Sequence, residues 1–154
     1  MKKIFYLCFL LVSLCAVDSG AQEKSRNNIA SQPLWGPTGY NRADYYYLPD
    51  LQLYYSVNEK KFVYLNDGKW EFSPTLPEAH SSYDLFSGHK VVINRPNPYT
   101  NFNAHKSRYS NFVGQKNRQT AIVNSNNTKY FVVEGHPKNS ELDETKIGYT
   151  PKIK

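Results

Sequence analysis

Four histidines are the first residues to test for chemistry, and their spacing does not favour it. His80, His89, His105 and His136 make no His-x-His or His-Glu-x-x-His pattern, and no carboxylate stands where it would complete a metal site. A nucleophile is equally hard to place. There is no Gly-x-Ser-x-Gly elbow and no glycine-rich phosphate loop, and both cysteines, Cys8 and Cys15, fall within the first 21 residues. Asp50, Glu71 and Asp84 are of the type that cleaves glycosidic bonds in pairs, but nothing in their spacing brings two together. The expectation is a protein without a catalytic centre, metal or cofactor.

Binding chemistry is better represented. Between Asp84 and Glu134 there is no acidic residue, while Lys90, Arg95, Lys106, Arg108, Lys116, Arg118 and Lys129 all fall inside. Phe86, Tyr99, Phe102, Tyr109, Phe112, Tyr130 and Phe131 are interleaved with them. Cations among rings suit a polyanion, with charge for sulfate, phosphate or carboxylate and rings for stacking. The first six cations are the candidate contacts. The competing explanation is that they only solubilise the chain and pair with Asp44, Asp50, Glu71, Glu78 and Asp84.

Neutral sugars are a second ligand class, because the C–H face of a pyranose is apolar and packs on flat rings while its hydroxyl rim needs hydrogen bonds. Tyr54, Tyr55, Tyr64 and Trp70 are the candidate platform, with Trp35 in reserve. Rings in a small β domain are more often core or half-buried cover, so both readings stay open here.

The beginning of the chain supplies a location. "MKKIFYLCFLLVSLCAVDSGAQ" has Lys2 and Lys3, an apolar run from Ile4 to Val17, and small residues at Ser19 and Ala21. That is the pattern of a secretory signal cleaved after Ala21, and the run is shorter than the roughly 20 residues of a membrane span. Leu14 stands where a small residue would precede a lipid-modified Cys15, so a plain secretory signal is the reading. Cleavage removes Lys2, Lys3 and Asp18, taking the net charge from +6 to about +5, on about 133 residues, enough for one domain. A protein that is secreted, periplasmic or held at the cell surface meets acidic glycans or envelope proteins rather than nucleic acid.

The elements that must carry these residues are strands. No helical period is sustained, whereas prolines, Asn-rich turns and aromatic or β-branched runs recur. In "KKFVYLNDGKWEF", Asp67-Gly68 suits a type I′ hairpin, which sets Leu65 opposite Trp70 and Val63 opposite Phe72. An even turn through "VNEK" sets Ser56 opposite Lys61 and Tyr55 opposite Phe62, and puts Tyr54 on the face of Val63. The three-stranded meander is then apolar on both faces, and a sheet needs only one buried face. Either other segments cover the second face, or it is a docking surface.

"ADYYYLPD" is placed at the sheet edge, with Leu48-Pro49-Asp50 as the corner, and "HKVVINRP", "TAIV" and "TKYFVVE" are read as further strands. The expected fold is mostly β: a small antiparallel meander extended to a mixed sheet or open barrel. Residues 22–34 and 135–154 read as flexible flanks of one domain over 35–134. Within it, the arm from Pro98 to Thr120 is long enough to be either mobile or functional.

The segments "WGPTGYNRADYYYLPD", "LQLYYSVNEKKFVYLNDGKW", "LPEAHSSYDLFSGHKVVIN" and "TKYFVVEGHP" together resemble a group of small exported proteins of Bacteroidota-type bacteria. These share a Trp-Gly-Pro-x-Gly-Tyr opening, a Tyr-rich Leu-Pro-Asp strand, and a Tyr-Asp-Leu before a Lys-Val-Val-Ile-Asn strand. The resemblance covers about Trp35 to Pro137 and implies export and one continuous domain; it brings no catalytic residues. The function expected is binding of an anionic or neutral envelope glycan. The alternative is an envelope interaction protein that docks a partner through an aromatic sheet face, and a polysaccharide-acting enzyme comes third.

Overall fold

The computed structural model describes residues 27–142. Five strands, β1 (Tyr45–Leu48), β2 (Leu53–Ser56), β3 (Lys61–Asn66), β4 (Lys69–Ser73) and β5 (Val91–Ile93), form one sheet in the order β4-β3-β2-β1-β5. Every neighbouring pair is antiparallel and the sheet is open. The meander has the register its turns dictate. Asp67 and Gly68 take φ of 48° and 76°, as a type I′ turn requires. Leu65 faces Trp70, Val63 faces Phe72, Tyr55 faces Phe62 and Ser56 faces Lys61. One placement differs: β1 is an inner strand, because β5 pairs on its far side through Tyr46 and Val92.

Adjacent residues point to opposite faces of a strand, so the tyrosine runs feed two cores. Tyr46, Leu48, Leu53, Tyr55 and Phe62 are buried on one face beneath Trp35, Leu76 and Leu85. Trp35 packs edge-on to Tyr46 and Tyr55 at 5.6 and 4.9 Å. Gly36 makes that approach possible, since a Cβ there would lie 2.7 Å from the Tyr46 hydroxyl. The opposite face, Tyr47, Tyr54, Val63 and Ile93, is covered by Tyr99, Phe102 and Tyr109. Those covering rings come from the arm after Pro98, which folds into short turns and one helix, α1 (Phe102–Arg108). The second aromatic face is therefore covered by the chain's own arm over Tyr47, Tyr54, Val63 and Ile93, while Leu65 and Phe72 of the same face stay exposed toward the β3–β4 hairpin.

Two expected strands are absent from the sheet. "TAIV" contributes a single bridge, Ala121 to Pro37, before a 3-10 turn at Ile122–Asn124, and Thr128–Tyr130 is another 3-10 turn. Local bonds outcompete pairing here: the Asn127 side chain accepts the Lys129 N–H, and the Ser125 hydroxyl accepts the Asn127 N–H. Ile122, Tyr130 and Val133 instead build a third small core with Ile29.

That third core extends the domain past both expected boundaries. Ile29 is buried, Gln32 accepts the Tyr46 O–H bond at 3.0 Å, and the Asn28 side chain bonds both backbone groups of Ala43. Residues 27–34 are thus packed rather than a loose lead-in. On the far side His136 is buried with Nε2 at 3.1 Å from the Ile122 carbonyl. The expected secretory signal, the following residues 22–26 and the last twelve residues lie outside the described residues. Among the described residues no helix is long and apolar enough to cross a membrane.

Candidate functional site

The four candidate platform residues do not share a surface. Tyr55 and Tyr64 belong to one face of the sheet, Tyr54 and Trp70 to the other, and both Tyr54 and Tyr55 are buried. The two adjacent tyrosines are core, as alternation in a doubly covered strand requires. Tyr64 and Trp70 are half-buried near the tip of the β3–β4 hairpin, and both line clefts there.

The two clefts meet at Leu65, Phe102 and Lys106 and have volumes of about 320 and 580 Å³. On one side Trp70, Tyr99 and Phe102 form the wall, with Asn101 and Asn103 beside them. On the other, Tyr64, Leu51 and Pro77 give apolar surface, with Gln52, Asn66 and His80 as polar neighbours. Leu65, 44% exposed, rises between the two, and Phe72, 42% exposed, continues the aromatic surface along β4.

The rings make a corner rather than a flat strip. Trp70 and Phe102 are perpendicular at 5.2 Å, Phe72 and Tyr99 nearly so at 5.8 Å, and Trp70 and Tyr99 are inclined by 42° at 5.3 Å. Edge-to-face contacts of this kind contribute roughly 0.5–1.5 kcal/mol each, so the wall is held in shape without a ligand. No acidic residue lines either cleft. The nearby Glu71 is occupied by the Asn66 amide at 2.8 Å and by Tyr64, and these bonds hold its carboxyl below the ordinary range.

The six candidate cations are dispersed. Lys90 is buried, with Nζ donating to the Phe86 carbonyl at 3.1 Å, and burial lowers its ammonium to about 8. Lys116 is bound to Asp50 at 2.8 Å. Arg95 lines a separate polar cleft with Arg42 and Asn58. Arg108 lies over the Tyr109 ring, and Arg118 is exposed. Only Lys106 stands in the groove, with Nζ 5.2 Å from the centre of the Phe102 ring. The structure thus brings together Tyr64, Trp70 and Lys106 of the ten residues marked in the sequence.

Tyr99, Phe102, Asn101 and Asn103 were not marked as a platform. Phe102, His105 and Tyr109 are spaced three and four apart, the signature of one helix face, but α1 has only seven residues. A single turn or two gives too little periodicity to stand out from an aromatic-rich background.

The carboxylates are committed elsewhere. Asp50 accepts bonds from Tyr83 at 2.6 Å, from the Gly114 N–H at 2.6 Å, and from Lys116. Burial alone would raise its carboxyl, yet these three donors outweigh burial and leave it lowered. Asp84 is lowered chiefly by the Phe86 N–H. Among the described residues no three of His, Cys, Asp or Glu are grouped to hold a metal ion.

Fold and site together define a small open antiparallel β protein with an angular aromatic groove at one hairpin end. No known protein family, curated protein or solved structure matches the chain.

Proposed function

We propose that this is an exported, non-catalytic binding protein of the cell envelope that takes a glycan in the groove beside Trp70, Tyr99 and Phe102. The supporting observation is the groove's composition. Half-exposed rings offer a surface for the C–H face of a sugar, and side-chain amides stand beside them for its hydroxyls. The secretory pattern at the start of the chain, and the resemblance to small exported proteins, agree with an envelope ligand.

Support for a non-catalytic role comes from the carboxylates. Glycoside cleavage needs one carboxyl raised so that it can act as an acid, whereas Asp50, Glu71 and Asp84 are all shifted downward. The test is a glycan array probed at low salt with the mature protein, its folded state confirmed by circular dichroism. Signal on sugars that is lost in Trp70→Ala supports the reading; silence across the array removes it.

A partner-protein role keeps one observation of its own. β4 is an outer strand with Phe72 exposed, and an extended segment of an envelope protein can add to such an edge. Capture of one abundant partner that survives Trp70→Ala but is lost on a proline at Glu71, with the fold intact, would favour it.

A further inference from the structure

We infer that the groove is selective for acidic sugars, and that Lys106 is the residue that makes it so. This rests on the glycan reading of the same groove and narrows it to carboxylated sugars of the uronic-acid class. Lys106 lies on the wall common to both clefts. Among the described residues it has no ion-pair partner; its ammonium rests near the Phe102 ring. Most other cations near carboxylates are already neutralised, as Lys116 is by Asp50 and Arg42 by Asp44. An unpaired ammonium over an aromatic wall, in a groove with no acidic lining, is complementary to a ligand that is apolar on one face and carries a single negative charge.

The number and type of cation set the ligand class. Sulfated chains and lipid phosphates carry clustered multiple charge and favour arginine forks or several lysines together. Here one lysine stands alone, which matches one carboxylate on one sugar ring. The right angle between Trp70 and Phe102 adds a shape limit. A corner seats one or two sugar rings, such as the end of a chain, and is unsuited to the flat face of a packed polysaccharide.

The experiment uses trimers of galacturonate, glucuronate and mannuronate, each beside its methyl ester, which keeps the sugar and removes the charge. Affinities are measured by calorimetry on the mature chain at low and high salt. The expected result is that at least one acid form binds roughly three- to tenfold more tightly than its ester, the range for one partly exposed charge-assisted contact. That margin should shrink as salt rises. In Lys106→Gln the acid and ester affinities should converge, while the thermal midpoint stays near the wild-type value.

Equal binding of acid and ester by the wild type overturns the selectivity and leaves a neutral-sugar groove, so the broader reading survives. A margin that persists in Lys106→Gln overturns the role of this lysine. Absence of binding to every trimer overturns the inference as well. The array then separates the cases: neutral sugars bound there leave the glycan reading standing, and a silent array removes both.

Discussion

The Tyr54 hydroxyl lies 2.8 Å from Nδ1 of His105, and both side chains are buried where α1 crosses the sheet. Neutral His105 with its proton on Nε2 accepts the tyrosine's hydrogen. A protonated ring has no lone pair to offer, so the tyrosine would have to turn and accept. Burial lowers the His105 pKa, and Arg95 and Arg108 lower it further. Tyr47 and Tyr109 are the other rings packed around it, and neither brings a compensating negative charge.

The sign of the pH dependence follows. The folded state binds this proton less readily than the unfolded chain does, so the contribution is fully present above the unfolded value of about 6.5 and is lost as pH falls toward the folded pKa. His89 is lowered too, by burial and then Lys90, and contributes with the same sign. The urea midpoint should therefore drop between pH 7 and pH 5.5 in the wild type. Each of His89→Gln and His105→Gln should flatten part of that drop, and the double variant should flatten most of it.

Tyr54 and Tyr55 behave as core rather than as ligand contacts. Both sit between covered faces, so Tyr54→Ala and Tyr55→Ala should each cost about 3–5 kcal/mol, the usual range for a large aromatic cut to alanine. That is a large fraction of the stability of a domain this size. Tyr54→Phe should cost about 1–2 kcal/mol, since it leaves the His105 Nδ1 without its donor. Leu65→Ala, at an exposed position, should stay within about 0.5 kcal/mol. Thermal midpoints at pH 7.5 order the four variants.

What was legible in the chain was local. The Asp67-Gly68 turn fixes a register, and period-two alternation then assigns every residue of β2, β3 and β4 to a face. What covers each face depends on contacts across tens of residues, such as Trp35 on Tyr55 or Tyr99 on Tyr54, and no local pattern encodes them. The same limit hid the groove. Trp70 and Tyr64 carried the right residue types, but their partners Phe102 and Lys106 arrive from an arm whose helix is too short to announce itself. The run "TKYFVVE" misleads for the opposite reason: its β-branched composition is strong, yet Asn127 caps a turn that redirects it.

Gly36 and Gly68 should respond differently to alanine. At Gly36 the added methyl meets the Tyr46 hydroxyl at 2.7 Å and the Pro33 carbonyl at 3.0 Å. The Trp-Gly-Pro segment must then move off the first core, at a cost of about 1–3 kcal/mol. At Gly68 nothing lies within 4 Å, and the cost arises from φ of +76° alone, about 1 kcal/mol. Combining Gly36→Ala with Tyr46→Phe, which removes the obstructing oxygen, should recover part of the Gly36 loss and none of the Gly68 loss.

Asp50 ties the corner after β1 to two distant segments through Tyr83, Gly114 and Lys116. Its lowered carboxyl places its stabilising contribution above the unfolded value of about 3.9, and the contribution is lost as pH falls through the folded pKa. Asp50→Asn removes the charge while keeping the shape, so it should destabilise the protein at pH 7. The gap between variant and wild type should narrow below pH 4. Amide exchange at Gly114 should quicken in the variant, because its N–H loses a carboxylate acceptor.

Trp70 should separate ligand binding from folding. It lies on the outer strand, half-buried, and touches Tyr54, Tyr99 and Phe102 through ring contacts of 6.0, 5.3 and 5.2 Å. Trp70→Ala removes those contacts but leaves Tyr54 covered by Phe102 and His105, so the loss should be smaller than for Tyr54→Ala. The fold should persist by circular dichroism while sugar affinity falls at least tenfold, about 1.4 kcal/mol, through loss of the central ring of the wall. Trp70→Phe should keep the stability and return part of the affinity, because a smaller ring still presents a face. Tyr99→Ala supplies the independent check, since that ring reaches the same wall from the arm. If both single variants fold and bind as the wild type does, the groove is not where the ligand sits.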